Sequence, residues 1–487
     1  MLAQGGAGVA SLAMPFLLAR FMAVADYSVF VTVYAAASLL AVVAGLGMDR
    51  AMYRYLPALV QSAQPMLAWS PLRRAALLRT GLLTLLLLLL LVGNPWLPAG
   101  LRESLDVSGG WIVALAVALG ASELSGAALQ SALRPLPLAR ASAVVAFARL
   151  GVIGALVVAA GRVSLAAALG LLIAGEALLA LWCLGGLRAA LATPRSGAPL
   201  RELPTTGELL RAGLANHGAY LLGLLWTSSA LRLVVAATSP VTVTAAYGFF
   251  QMIADRGRTY LPVAFMQRQV EPQWAADFDG RRDVRRFRAV AGALGKLQFH
   301  ALTAAAVLMV AAGPWLVRVV VRPEYADHQA LVLLMIVQQL GGGCAVLLWM
   351  GANASRRNAL LTQAMLVATL LGAPLLWLAA RWVGAEGVVL VTLLPPLVIA
   401  GQAVLRGDAA LVRALLRPVA PAQLVWAVVS LGAAALLAAA VPPHWAALLA
   451  LGLHLGGMAV LAQLRIGRVL ARNERFVLFR YLAGKRP

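Results

Sequence analysis

The sequence predicts an all-α protein that crosses a membrane about fourteen times, and its composition and its long apolar runs both lead to this fold class. Of the 487 residues, 62% are hydrophobic and the mean hydropathy is +0.86, whereas soluble globular chains are about 45–50% apolar. A bilayer-spanning helix needs roughly 20 mainly apolar residues. In lipid, only helices and closed barrels satisfy every backbone polar group. The apolar runs are continuous rather than alternating, which excludes a barrel.

The predicted spans follow one another with mostly short connections. They lie near residues 4–22, 28–47, 75–97, 111–133, 139–160, 164–187, 208–235, 240–264, 297–320, 329–351, 358–380, 385–405, 420–441 and 445–464. The longer connections are 48–74, 188–207 and 265–296, and each is too short for a folded soluble domain. The sequence contains no P-loop, HExxH, GxSxG or paired-cysteine metal motif. We therefore expect a protein that is not an enzyme and that needs no metal or cofactor.

The distribution of arginine predicts the orientation in the membrane. The net charge is +22, and the basic residues concentrate after the even-numbered spans and in the tail. The loops on the opposite side hold few basic residues, namely Arg102, Arg162, Arg322 and Arg381. This positive-inside pattern places the even-numbered loops and both termini in the cytoplasm of a bacterial inner membrane. It also indicates contact with anionic membrane lipids and argues against nucleic acid as a partner.

A short internal repeat suggests the domain organisation. Asp49–Pro57 and Asp255–Pro262 both read Asp-Arg, then a further Arg, then Tyr-Leu-Pro. The two copies lie six predicted spans apart and therefore face the same side. The repeat predicts two pseudo-symmetric six-helix lobes, residues 1–200 and 201–410, related by an axis along the membrane normal. Residues 411–487 then add two extra helices and a basic cytoplasmic tail.

Six arginines in or next to the predicted spans are candidates for an anion site. They are Arg20, Arg50, Arg54, Arg232, Arg256 and Arg258. Arg50 and Arg54 are four residues apart and share one helical face. Together the six would give a cavity between the lobes a positive lining, and guanidinium groups bind phosphate oxygens in a bidentate way. The alternative is that they anchor the topology, with side chains that extend to the membrane interface.

Four further charged residues lie within spans, where charges are costly and usually functional or paired. Glu123, Arg149 and Glu176 fall near the middle of spans four, five and six, and Asp255 lies three residues from Arg258, so that these two could pair. One interpretation is a structural network of buried charges. The other is a carboxylate that couples transport to a proton or ion gradient. The sequence alone leaves both open.

Four short motifs, in this order and spacing, resemble those of polysaccharide flippases. The Wzx-type members of the multidrug/oligosaccharidyl-lipid/polysaccharide (MOP) exporter superfamily carry an "ARxLGxxxYGxF" opening. The matching segments here are Leu18–Phe21 with Asp26, Tyr27 and Phe30; Gly45–Ala51 with Arg54 and Tyr55; Arg322–Tyr325; and Gly384–Gly387. The resemblance implies two six-helix bundles that form a V, plus two C-terminal helices.

The resemblance also implies a function. It implies movement of an undecaprenyl-pyrophosphate-linked oligosaccharide, such as an exopolysaccharide, O-antigen or capsule repeat, to the periplasmic leaflet by alternating access. Cavity arginines neutralise the pyrophosphate, and Arg20 and Arg50 match the family best, with Arg232 and Arg256 as looser matches. Span seven lacks the acidic residue that some relatives carry, which leaves coupling to an H⁺ or Na⁺ gradient open. The expected partners are the lipid-linked substrate and the polymerase and glycosyltransferases of the same pathway.

Two other functions remain as alternatives. A multidrug or cation antiporter of the same superfamily would need acidic residues in the cavity, whereas arginines outnumber acids among the candidate lining residues. A membrane polymerase or ligase for the same glycans would need a catalytic loop on the periplasmic face, where the predicted loops are short. The sequence therefore favours the flippase.

Overall fold

The computed structural model describes residues 2–60, 62, 64–93, 99–132, 135–192, 203–264, 267, 284–354, 358–405 and 421–463, and all regular structure in these ranges is helical. In chain order the helices are α1 Leu2–Phe21, α2 Val24–Gly45, α3 Met48–Val60, α4 Trp69–Gly93, α5 Ala99–Ser131, α6 Pro135–Ala160, α7 Leu165–Leu191, α8 Thr206–Leu222, α9 Ser228–Thr238, α10 Val241–Arg258, α11 Val284–Val320, α12 Gln329–Ala354, α13 Asn358–Trp382, α14 Ala385–Val391, α15 Leu394–Leu405, α16 Pro421–Ala440 and α17 Pro443–Gln463. Contacts divide the chain into two compact units, Met1–Phe249 and Phe250–Pro487.

The first unit is built around α2 and α5. These helices are 61% and 67% buried over their most apolar stretches, whereas α6 is only 17% buried and presents most of its surface outward. α5 packs against α2, α3, α4, α7 and α9, and α1 packs against α6. The buried side of α2 is rich in alanine, and small side chains let helices approach closely in a membrane.

The second unit is organised by the long helix α11. It contacts α12 on one side and the C-terminal pair α16 and α17 on another. A small core of Val307, Ala311, Ala434, Ala446 and Ala450 joins α11 to this pair. α13 packs against both α14 and α15. The two C-terminal helices therefore belong to the second unit.

The prediction of an all-α polytopic membrane fold is confirmed. Each predicted span coincides with a described helix, or with two helices separated by a break. Ten stretches among the described residues are long and apolar enough to cross a membrane. The lobe boundaries near residues 200 and 410 and the pseudo-symmetry stay predictions, and the basic tail after Gln463 lies outside the described residues.

The segment after α2 differs from the predicted connection, because residues 48–60 form a separate helix. Leu46 and Gly47 have φ of 44° and 67°, in the left-handed region, and end α2. α3 then buries Met48, Met52 and Leu56, each at most 1% exposed, on one face. The first copy of the repeat, Asp49–Pro57, thus lies in α3 rather than at the end of α2, while the second copy spans the last turn of α10 and the turn after it.

Two predicted spans are broken helices. Span seven consists of α8, a 3₁₀ turn at Leu224–Trp226 and α9, whose first turn is capped by Thr227 through a bond from the Ala230 amide. Span twelve consists of α14 and α15. Pro395 and Pro396 lack the amide hydrogens that would continue the helix, and the chain makes tighter turns at Thr392 and Leu393 instead. Irregular backbone at membrane depth is tolerated where it is buried in protein or lines a cavity.

Candidate functional site: a buried charge network in the first unit

Arg79 and Glu123 connect α4 to α5 inside the first unit. Arg79 Nη2 donates to Glu123 Oε2 at 2.6 Å and to the carbonyl oxygen of Ala41 on α2 at 2.7 Å. The side chain of Arg79 is 8% exposed, whereas that of Glu123 is 46% exposed. The guanidinium is therefore enclosed by protein, and the carboxylate covers its outer side.

Arg149 and Glu176 form a second pair between α6 and α7. Arg149 Nη2 donates to Glu176 Oε1 and to the carbonyl oxygen of Leu172, both at 2.9 Å. Ser122 Oγ donates to the other carboxylate oxygen of Glu176 at 2.6 Å. Both side chains are largely but not fully enclosed, at 14% and 15% exposure. Because Ser122 and Glu123 are neighbours on α5, the two ion pairs belong to one network across five helices.

Two glycines make room for the guanidinium groups. A Cβ on Gly120 would lie 2.9 Å from Arg79 Nε, and a Cβ on Gly175 would lie 2.1 Å from Arg149 Nε. Both distances are shorter than real Cβ contacts, so any larger residue would displace the arginines. The backbone of α5 and of α7 thus lies directly against the guanidinium groups, as glycine allows.

The network contains two cations and two anions and is neutral as a whole. Pairing of this kind lets charged side chains lie within a membrane protein, where an unpaired charge would be costly. Protonation of Glu123 or Glu176 would leave an arginine without its counter-charge, so proton uptake here would weaken the packing of the helices. Among the described residues, no group of three or more His, Cys, Asp or Glu side chains could hold a metal ion.

The structure brings together three residues that the sequence singled out and one that it did not. Glu123, Arg149 and Glu176 are members of the network, but the partner of Glu123 is Arg79. Arg79 lies inside predicted span three, close to Arg73 and Arg74, which precede that span. Its position about one turn inside the apolar run was the signal that could have identified it.

The candidate anion-binding arginines are distributed over four helices. In the first unit, Arg20 is exposed in the last turn of α1, and Arg232 is 3% exposed on α9. Arg50 and Arg54 lie on α3, and their side chains lie outside what the structure describes.

Arg256 and Arg258 are exposed at the end of α10, in the second unit. Arg258 lines a small pocket with Gln298 and Gln339. Asp255 Oδ1, predicted as a partner for Arg258, accepts a hydrogen bond from Gln251 Nε2 at 3.1 Å. The structure thus places Arg258, but not Arg256, at a small pocket between the end of α10, α11 and α12.

Comparison with known proteins identifies the fold. No family model and no curated protein matches the sequence. Among solved structures, the lipid II flippase MurJ in its inward closed conformation matches with a TM-score of 0.64 at 10% identity, over 95% of this chain and 98% of that chain. An inward-facing MATE family multidrug transporter of the MOP superfamily has a TM-score of 0.44 at 12% identity, over 84% of this chain and 99% of that one. The eukaryotic MATE transporter AtDTX14 has a TM-score of 0.39 at 18% identity, over 85% and 95%. The chain therefore shares an all-helical, polytopic fold with the lipid II flippase MurJ over nearly its whole length.

Proposed function

We propose that this protein moves an undecaprenyl-pyrophosphate-linked oligosaccharide from the cytoplasmic to the periplasmic leaflet of a bacterial inner membrane. The observation that carries the proposal is the fold shared with a lipid II flippase over 95% of the chain. The motifs that resemble polysaccharide flippases support an oligosaccharide as the cargo. The oligosaccharide would be the repeat unit of an exopolysaccharide, an O-antigen or a capsule.

The arginines are the proposed ligands for the pyrophosphate. They are Arg20, Arg50, Arg54, Arg232, Arg256 and Arg258. Arg232 has structural support, because it is 3% exposed and lies on α9, directly after the break in span seven. Transporters commonly build substrate sites at such discontinuous helices. A buried guanidinium beside irregular backbone suits a diphosphate, which offers several anionic oxygens for bidentate bonds.

The charge network favours this proposal over a cation antiporter. An antiporter needs a carboxylate that is available to a cation. Glu123 and Glu176 are each paired with an arginine at 2.6 and 2.9 Å, so a cation would have to compete with a guanidinium for either carboxylate. We therefore assign these two glutamates to stability rather than to cargo binding.

Export of surface polysaccharide tests the proposal in cells. Complementation of a strain that lacks the gene with Arg20→Ala or Arg50→Ala should abolish surface polymer while lipid-linked precursor accumulates. Arg162→Ala is the matched control, because Arg162 is exposed in the loop after α6 and has no proposed role. Membrane insertion is checked by protease accessibility of a tagged protein. Normal surface polymer with both variants would refute the assignment of these arginines.

A further inference from the structure

Gln298 is a buried amide side chain on α11 that links two neighbouring parts of the second unit. Its Oε1 accepts a hydrogen bond from the Val263 amide at 3.3 Å, and its Nε2 donates to the carbonyl oxygen of Gln339 on α12 at 2.9 Å. Gln298 is 3% exposed and Val263 is 1% exposed, so both bonds are shielded from solvent. Because a backbone amide only donates and a carbonyl oxygen only accepts, this position needs a side chain with one acceptor and one donor.

The Val263 amide needs an external partner because the chain changes conformation after α10. α10 ends at Arg258, and the amides of residues 259–261 each donate to the carbonyl oxygen three residues earlier. Pro262 has no amide hydrogen and starts a new helical turn. The first amides of a helix have no partner within it, so the Val263 amide binds the Gln298 oxygen instead. The Tyr-Leu-Pro end of the second repeat copy is thus followed directly by the amide that Gln298 binds.

One glycine of α12 makes room for the Gln298 side chain. In a helix the carbonyl oxygen of residue 339 lies beside residue 343, so a donor that reaches this oxygen passes over Gly343. A Cβ on Gly343 would lie 1.9 Å from Gln298 Nε2, and its three nearest atoms would all belong to Gln298. A Cβ on the preceding Gly342 would have no neighbour within 4 Å. We refer to Gln298, its two hydrogen bonds and Gly343 as the Gln298 clamp.

The Gln298 clamp lies beside Arg258, which is a proposed ligand for the pyrophosphate. Arg258 is exposed in the last turn of α10 and lines the same pocket as Val263 and Gln298. Its carbonyl oxygen accepts from the Leu261 amide at 3.1 Å, so a single turn of chain connects Arg258 to the clamped amide. No acidic side chain lines the described pocket, so the pocket itself does not neutralise the guanidinium.

We propose that Gln298 is a positioning residue for cargo binding, which fastens the turn after α10 to α11 and α12 and thereby holds Arg258 in place for a pyrophosphate oxygen. Bonds from a guanidinium to phosphate oxygens are directional, and a ligand group that is already held in its binding position loses less freedom when the cargo binds. The clamp itself stands on the hydrogen bonds of the second unit. Its role in binding rests on the proposed flippase function.

Hydrogen–deuterium exchange of the protein in lipid nanodiscs tests the clamp without any cargo. Gln298→Met keeps a side chain of similar size but removes both hydrogen bonds. We expect it to speed exchange in the segment 259–264 about tenfold, the effect typical of one lost hydrogen bond to a buried amide. Gly343→Ala should act in the same direction, because the new Cβ displaces the Gln298 amide, whereas the matched control Gly342→Ala should leave exchange unchanged. Unchanged exchange in Gln298→Met, or equal exchange in the two alanine variants, would overturn the clamp.

Flipping in proteoliposomes tests the positioning role, with an undecaprenyl-pyrophosphate oligosaccharide as cargo. We expect Gln298→Met to raise the cargo concentration that gives half-maximal flipping about five- to tenfold, and to keep the maximal rate within about twofold, as for a variant that loses binding alone. In an Arg258→Ala background, Gln298→Met should have no further effect on this concentration, because it acts through Arg258.

The outcomes of the flipping experiment separate the two proposals. An equal rise in the half-maximal concentration in both backgrounds, or a loss of maximal rate alone, would overturn the positioning role and leave the flippase proposal intact. No flipping by the wild type would overturn the flippase proposal and the positioning role together, while hydrogen exchange decides the clamp.

Discussion

Replacing Glu176 by glutamine keeps the shape of the side chain but leaves the guanidinium of Arg149 without its counter-charge. The two groups lie 2.9 Å apart and are 14% and 15% exposed, so water can compensate little of the loss. Removing one partner of a buried ion pair costs roughly 3–5 kcal/mol. Arg149 can still donate its hydrogen bond to the carbonyl oxygen of Leu172. Ser122 can still donate to the side-chain oxygen of the glutamine at position 176. We therefore expect Glu176→Gln to lower the free energy of unfolding by about 3 kcal/mol, at the lower end of that range.

A double-mutant cycle measures the pair itself. Arg149→Gln, Glu176→Gln and the double variant are unfolded by SDS in mixed micelles and followed by tryptophan fluorescence. The double variant has no uncompensated charge, so it should be less destabilised than the sum of the single variants by about 2 kcal/mol. Arg162→Gln, an exposed control after α6, should stay within about 0.5 kcal/mol of the wild type. Additivity within about 0.5 kcal/mol would refute a direct interaction between Arg149 and Glu176.

Two further predictions concern backbone packing and capping in the first unit. Gly175→Ala forces Arg149 to move, since the new Cβ would lie 2.1 Å from Nε. We expect it to lower the free energy of unfolding by about 1–3 kcal/mol in the same SDS assay. Gly170→Ala is the control on the same helix, because a Cβ there has no neighbour within 4 Å, and it should be tolerated. Thr205→Ala removes the capping box in which the Glu208 amide donates to Thr205 Oγ1 and the Thr205 amide donates to the Glu208 carboxylate. It should cost about 1 kcal/mol, and Thr205→Ser should restore most of the loss; equal stability of the alanine and serine variants would contradict the cap.

Hydropathy predicted where the helices lie, because a spanning helix needs one long apolar run. It could not predict the breaks, since averaging along the chain hides a local loss of backbone hydrogen bonds at Thr392 or between α8 and α9. Hydropathy also missed α3, in which the large buried side chains Met48, Met52 and Leu56 repeat every four residues within a polar segment. Such a helix is stabilised by tertiary packing rather than by lipid.

The charged residues show the same division between local and tertiary information. Glu123, Arg149 and Glu176 could be identified from sequence, because each interrupts an apolar run. That Arg79 rather than Arg149 is the partner of Glu123 depends on the packing of α4 against α5, which no local pattern records. Pairing of side chains across helices was therefore the part that sequence reasoning could not supply.

Reconstituted flipping tests the central claim most directly. Purified protein is inserted into vesicles with an undecaprenyl-pyrophosphate oligosaccharide, and a glycan-cleaving enzyme added outside measures how fast the inner pool becomes accessible. We predict that the protein speeds this step well above the rate of protein-free vesicles, and that the same oligosaccharide on a polyprenol without the pyrophosphate is not moved. A rate equal to that of protein-free vesicles, or equal transport of the uncharged lipid, would contradict the proposal of an arginine-based flippase for pyrophosphate-linked glycans.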